Sequence, residues 1–306
     1  MSQIYFDAEH HEFALTNPDH KDGIYQSIDH PLSVIVQVTR KCPLECAFCS
    51  ESEMFPDPSF KALESVKNKL SGVDRIYLSG GEPLLRKDIF DLIELYREGF
   101  QVLGLPTNCV YISQEVCEKL IGKVNYINAG LDGPRNINNT VRGGYDAIIN
   151  GLSNLRRSGI EVSLSTVILS STLPYLQYVV QIADTLDITK VKMVIPVLRG
   201  RAQSLKSEDF ASNEEILRKF DEIKELKAVL NWKPRVKFTF WDKNTEGYAI
   251  IVYPNQQVYT WPVFDAPDSV LHIGDLNKET IQEIWQRYPY KENHINKYVG
   301  LSMHKA

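Results

Sequence analysis

Apolar residues run through the middle of this chain in two alternating rhythms, and the alternation itself predicts an architecture. Ser33-Val-Ile-Val-Gln-Val-Thr39 is short and β-branched, the mark of a buried strand, and Phe60 to Leu70 follows with helical spacing. The two patterns then take turns: strand 75–79, helix 88–98, strand 101–106, helix 113–121, strand 124–131, helix 144–158, strand 161–168, helix 174–186 and strand 190–197. Strands separated by helices pair in parallel through crossovers. Gly159 closes one helix after Arg156-Arg157, and Pro174 opens another at its first turn. Six β/α units end near residue 200, short of the eight of a closed barrel. The expected fold is therefore α/β, a partial (β/α)6 TIM-like barrel.

The pattern changes after Val197-Leu-Arg-Gly200-Arg. Ser212-x-x-Glu215 reads as a capping box, and Ile216, Phe220, Ile223, Leu226 and Leu230 follow at helical spacing. Short strand candidates at 237–241, 248–253 and 257–261 precede a helix at 279–288, which makes a small α+β C-terminal extension. Three regions result: a polar lead-in over 1–30, the barrel over 31–205, and a linker helix with the extension over 206–306. The lead-in has no clear period; His10, His11, His20 and His30 read there as solvated side chains rather than ligands.

Composition narrows the class. A chain of 306 residues with 43% hydrophobic content buries a large core, and a net charge of -5 offers no basic field for nucleic acid. The first residues carry no secretory pattern, and no apolar stretch approaches the roughly 18 residues of a membrane helix. Of five cysteines, Cys42, Cys46 and Cys49 cluster while Cys109 and Cys117 stand apart. That distribution is not a disulfide framework, and a reducing cytoplasm is expected.

The clustered cysteines carry the chemistry. In Lys41-Cys42-Pro-Leu-Glu-Cys46-Ala-Phe48-Cys49 three thiols at i, i+4 and i+7 can converge on one object, and thiolates suit iron–sulfur or zinc. Structural zinc and ordinary ferredoxin clusters use four protein ligands. Three ligands leave one metal position open. Further along, Arg75-Ile-Tyr-Leu-Ser79-Gly80-Gly81-Glu82-Pro83 is an apolar strand ending in a Gly-Gly-Glu-Pro turn.

Cys-x-x-x-Cys-x-x-Cys followed by Gly-Gly-Glu-Pro resembles the radical S-adenosylmethionine (SAM) enzymes. The resemblance implies one [4Fe–4S] cluster on Cys42, Cys46 and Cys49, with SAM chelated at the open iron, cleaved reductively to a 5′-deoxyadenosyl radical that takes a hydrogen atom from an organic substrate. It implies Phe48 beside the adenine, and Gly80, Gly81 and Glu82 at the SAM amino group. Pro106-Thr107-Asn108-Cys109 resembles the family's Thr-Asn-Gly near the ribose; Cys109 replaces the glycine, and a thiol there is a candidate hydrogen donor. Cys117 reads as core.

Gly130-Leu131-Asp132-Gly133 with Arg142 looks like the subgroup that carries a SPASM or twitch extension, in which a serine and an arginine meet the SAM carboxylate and ribose. Arg142 matches, and Gly130 stands in the serine's place. Ser165 and Ile195, at the ends of the fifth and sixth strands, are further implied SAM contacts. The tail resembles that extension in its strand, hairpin and helix pattern, yet the chain has no cysteine beyond Cys117, so the tail is expected to hold no cluster. Trp241, Tyr248, Tyr253, Trp261 and Phe264 are expected either to cap the open barrel end or to form a small core.

The implied substrate is a ribosomally made peptide or a metabolite, with a sugar or nucleoside as the alternative. The implied electron donor is a flavodoxin or ferredoxin, and neither nucleic acid nor membrane is an expected partner. A non-catalytic electron carrier or redox sensor is the reading from another class.

Overall fold

The computed structural model describes residues 30–51, 55–239, 249–261 and 271–289, together with two short strands near the N-terminus, Ile4–Asp7 (β1) and Glu12–Leu15 (β2), which pair antiparallel. Each of those strands is only 4 residues long, too short to show a period in the sequence. Trp241, Tyr248, Phe264 and the histidines before His30 lie outside the described side chains.

The main body alternates as the hydrophobic pattern predicts, with one helix added: β3 Ser33–Thr39, α1 Phe60–Lys69, β4 Arg75–Gly80, α2 Ile89–Arg97, β5 Val102–Thr107, α3 Gln114–Leu120, β6 Tyr126–Gly130, α4 Arg135–Val141, α5 Tyr145–Arg157, β7 Val162–Val167, α6 Leu176–Thr185 and β8 Lys190–Val194. The addition is α4, a short helix before α5 that the pattern does not predict. The chain continues through α7 Asn213–Leu230, β9 Arg235–Thr239, β10 Ala249–Val252, β11 Gln257–Trp261, β12 His272–Asp275 and α8 Ile281–Gln286. Strands β3 to β9 lie side by side in sequence order, all parallel, in a sheet that does not close.

Two parts of the tail take places that the sequence did not show. The helix expected as a linker is a crossover: α7 returns the chain so that β9 pairs parallel with β8, register Lys190↔Arg235 to Val194↔Thr239. The extension then joins the other edge. β10 pairs parallel with β3, Ala249↔Ser33 to Val252↔Val36, and β11 and β12 follow antiparallel. An open barrel leaves the ladder groups of its first strand unpaired, and β10 satisfies them.

Alternation sorts the side chains of the sheet. Val34, Val36, Val38, Ile76, Leu78, Leu103, Leu105, Ile127, Leu164, Val191 and Met193 are buried in one core with Leu63 and Val66 of α1, Leu92 and Ile93 of α2, and Leu152 and Leu155 of α5. Each such aliphatic contributes roughly 1.5–3 kcal/mol of burial. The inward face is polar, with Gln37, Ser79, Asn128, Ser163 and Ser165. A Tyr126 to Tyr77 hydroxyl hydrogen bond, beside Gly104, crosses the lumen lower down. A polar lumen behind an apolar helix layer is a place for a ligand rather than for more core.

Local signals end the helices. Ser59 accepts from Ala62 N at 3.1 Å, and Ser212 and Glu215 form the capping box expected for α7. Among the described residues no helix is long and apolar enough to cross a membrane.

Candidate active site at the open end of the barrel

Everything that the motifs single out sits where the parallel strands end. Between β3 and α1 the chain makes the cysteine loop, and the Gly-Gly turn after β4 seats its first residues. Gly81 N donates to Thr39 O at 2.9 Å and Glu82 N to Lys41 O at 2.7 Å. A Cβ on Gly80 would fall 2.2 Å from Thr39 O, and one on Gly81 2.3 Å from Lys41 O. The two glycines are thus required by the closeness of two backbones. Arg86 locks the same corner, donating to Val38 O at 2.8 Å and Pro58 O at 2.9 Å, with Asp88 paired behind it.

The far side of the loop is held by segments distant in sequence. Ala47 N donates to Val141 O at 2.9 Å. Arg201 contributes twice, its backbone N to Cys49 O at 2.9 Å and its Nε to Cys46 O at 3.0 Å. Arg40 pairs with Glu51, so the loop is tied at both ends. Asn108 Nδ2 points at Cys42 Sγ, 3.8 Å away.

A cavity of about 700 Å³ opens above these contacts. Its wall includes Cys42, Cys46 and Cys49, Phe48, Gly80 and Gly81, Thr107 and Asn108, Arg142, Ser165 and Ile195. Eleven of the thirteen residues proposed from the sequence therefore meet in one place. The thiols sense one another. Burial raises Cys42, and burial pushes Cys46 up to about 11 against the pull of Arg142, with the other two cysteines adding to the rise. A metal binding there displaces protons from them.

Among the described residues no three His, Cys, Asp or Glu side chains stand close enough to share one metal ion. Three thiol donors fall short of the four protein ligands of a structural zinc and match a cluster with one open iron. The set therefore suits a [4Fe–4S] cluster better than zinc.

Two expected residues are not in the wall. Glu82 is fully buried, and its carboxylate accepts from Thr107 Oγ1 at 2.8 Å, Asn108 N at 2.7 Å and Leu84 N at 3.1 Å. It joins the β4 turn to the end of β5. Burial raises its pKa, and the donated hydrogen bonds pull the other way. Cys109 is fully buried as well, in the main core beside Gly151 and Ile112, so it is corrected from hydrogen donor to packing residue. Its φ of 62° is left-handed, the conformation that glycine takes readily and other residues pay for. Cys117 is core, as expected.

Arg142 is built into place. Its Nε donates to Asp132 Oδ2 at 2.6 Å, Asp132 is wholly buried, and the other carboxylate oxygen accepts from Val167 N at 2.8 Å. The guanidinium lies 5.1 Å from the centroid of the Phe48 ring and against Gly130, where a Cβ would fall 2.3 Å from Nη1. The missing serine is explained: the arginine fills its space. Asp132 was within a quoted motif, but nothing local marks it as the partner of a residue ten positions on. Arg201 and Asn128, both in the cavity wall, also carried no sequence signal, whereas Trp261, one of the aromatics expected to cap the barrel end or form a small core, lines the wall. Trp261 comes from the extension. Tyr253, likewise from the tail, is buried behind it, its hydroxyl bonded to Arg199 at 2.7 Å and Glu51 at 3.2 Å.

An open parallel barrel carries three thiols, a Gly-Gly turn and a braced arginine at its mouth, a donor set that suits an iron–sulfur cofactor. Residues 36–178 match the model of the Radical SAM superfamily, whose members use a [4Fe–4S] cluster and SAM. The chain is 29% identical over 194 residues to an Fe-coproporphyrin III synthase of Methanosarcina barkeri, covering 59% of this chain and 48% of the relative. The fold is similar to that of Streptococcus suis SuiB bound to its precursor peptide SuiA, with TM-score 0.73, 13% identity, and coverage of 86% of this chain and 66% of that one. It is also similar to native anSMEcpe with bound AdoMet, with TM-score 0.70, 16% identity, and coverage of 88% and 84%. The chain spans about half the length of the curated relatives it matches.

Proposed function

We propose that this protein cleaves SAM reductively and uses the product to take a hydrogen atom from a small organic substrate. The observation that carries the reading is the convergence of Cys42, Cys46, Cys49, Gly80, Gly81 and Arg142 on one cavity from three separate segments. When bound, the cluster and SAM supply an electron and a hydrogen-abstracting radical. The protein's part is to hold and to shield. Cys42, Cys46 and Cys49 ligate the cluster, and Asn108 orients the first of them. The terminal amines of Arg142, stiffened by Asp132, fork onto the SAM carboxylate. Phe48, Ser165 and Ile195 line the remaining path. The electron donor is a small reduced ferredoxin or flavodoxin.

Two features favour a compact metabolite over a peptide. A cavity of about 700 Å³ must hold SAM as well as the substrate, and Trp261 of the extension forms part of its wall. The likeness to SuiB is one of fold.

The test is anaerobic reconstitution with iron and sulfide, followed by measurement of 5′-deoxyadenosine from SAM and a strong reductant, with Cys46→Ala beside it. Product in the wild type that disappears in the variant supports the reading. A full cluster that binds SAM and yields no 5′-deoxyadenosine, with or without candidate metabolites, would make the protein an electron carrier instead.

A further inference from the structure

Four cations line the cavity, and three of them have a carboxylate partner. Arg40 pairs with Glu51, Lys41 with Asp57 at 2.9 Å, and Arg142 with Asp132. Arg201 differs. Its Nε is held by Cys46 O at 3.0 Å, and among the described residues its terminal amines meet no carboxylate. Glu45, the remaining acid of the wall, is exposed on the loop. A guanidinium fixed through Nε presents its two amines as a rigid fork, a shape that matches carboxylate and phosphate.

A second observation comes from the lumen. Asn128 Oδ1, in the same wall, is buried with no hydrogen-bond partner. So are Gln37 Oε1 and Ser163 Oγ, whose register neighbours Ser79 and Asn128 both line the cavity. Buried acceptors without donors are costly unless something completes them. A ligand that satisfies this site brings hydroxyl or amino groups to the lumen and a negative charge to Arg201.

On the reading that this cavity holds SAM, we propose that Arg142 serves the SAM carboxylate and that Arg201 is the substrate's anion-binding residue. The substrate is then a small polar molecule with a terminal carboxylate or phosphate and hydroxyl or amino donors. Three consequences follow from the geometry. Arg201 reaches the site from the turn after β8, a different element from Arg142, so the two forks separate cofactor from substrate recognition. Because Arg201 also holds Cys46 O and Cys49 O, occupancy by an anion is felt at the cluster loop. A neutral substrate would leave the half-buried guanidinium without a counter-charge and is disfavoured.

The test uses reconstituted holoprotein with SAM bound, and equilibrium dialysis against labelled inorganic phosphate in one arm and labelled succinate in the other. Wild type, Arg201→Gln, Arg201→Lys and Arg142→Gln are compared for anion binding, SAM affinity and iron content. The expected result is saturable binding of one of the two anions, weakened at least about tenfold in Arg201→Gln and less in Arg201→Lys when binding is expressed per iron-loaded protein. In Arg142→Gln the SAM affinity falls and anion binding persists. Preference for phosphate or succinate names the group. If the wild type binds neither anion, or if iron-loaded Arg201→Gln binds the anion as well as the wild type or loses SAM affinity along with the anion, the assignment is overturned. Formation of 5′-deoxyadenosine by the wild type is scored separately, so failure of SAM chemistry and failure of anion recognition are read on different instruments.

Discussion

At the scale of single residues, the site depends on what a side chain displaces as much as on what it offers. Gly130 and Arg142 are one choice. A Cβ at Gly130 would fall 2.3 Å from Nη1, and the arginine has no slack because its Nε is fixed on Asp132 at 2.6 Å. Gly130→Ser is therefore expected to weaken SAM binding by about tenfold, about 1.4 kcal/mol; calorimetric titration showing unchanged affinity would sink the idea. Asp132→Asn leaves Arg142 facing a neutral partner in a buried site, and a loss of about 3 kcal/mol in urea unfolding is expected, the lower end for a broken buried pair. For Cys109 the expectation runs the other way. Its thiol packs in the core, so Cys109→Ala should keep the 5′-deoxyadenosine rate while losing about 1 kcal/mol of stability. A variant that still forms 5′-deoxyadenosine but no longer yields the quenched substrate-derived product would restore the hydrogen-donor role.

At the scale of elements, each connection that matters joins pieces far apart in sequence. Arg86 bonds the end of β3 to the stretch before α1, and Arg201 bonds the turn after β8 to the cysteine loop. The tail has its own fastening in the turn from β12 to α8. There Asp275 accepts from Asn277 N at 2.9 Å, and this hydrogen bond leads the causes that lower its pKa from 3.8 to about 2. A depressed carboxylate contributes stability that is present above its unfolded pKa and lost as pH falls through the folded one. The contribution of Asp275 should thus be intact above pH 3.8 and fade toward pH 2. Acid unfolding of Asp275→Asn, which lacks the titrating group, should show a flatter limb over that window. An identical limb in both proteins would remove Asp275 from the account. Glu82 has the opposite sign: its raised pKa means that ionisation works against folding as pH climbs past the ordinary carboxylate range.

At the scale of the whole molecule, one open sheet carries both the barrel and its tail. With no cysteine beyond Cys117, reconstituted protein should hold about four irons per chain, one [4Fe–4S] cluster; about eight would mean an auxiliary cluster. Truncation after Thr239 removes β10 and bares the edge of β3, so self-association is expected, and a monodisperse truncated protein in light scattering would contradict that role for the tail. The alternation of strands and helices, the capping box at Ser212 and the cysteine loop could all be read from the sequence, since each depends on neighbours within a few residues. The pairing of the three thiols with the Gly-Gly turn was readable only through resemblance. What tertiary structure alone decided lies across long separations. Glu82 is buried beneath the cavity wall, where Thr107 and Asn108 donate to its carboxylate. Gly130 is small because Arg142 lies on it. Ala249 meets Ser33 because an open barrel edge needs a partner, and Trp261 arrives in the cavity wall with that strand. Local periodicity determines which elements form, and the packing of distant elements determines which side chains reach the site.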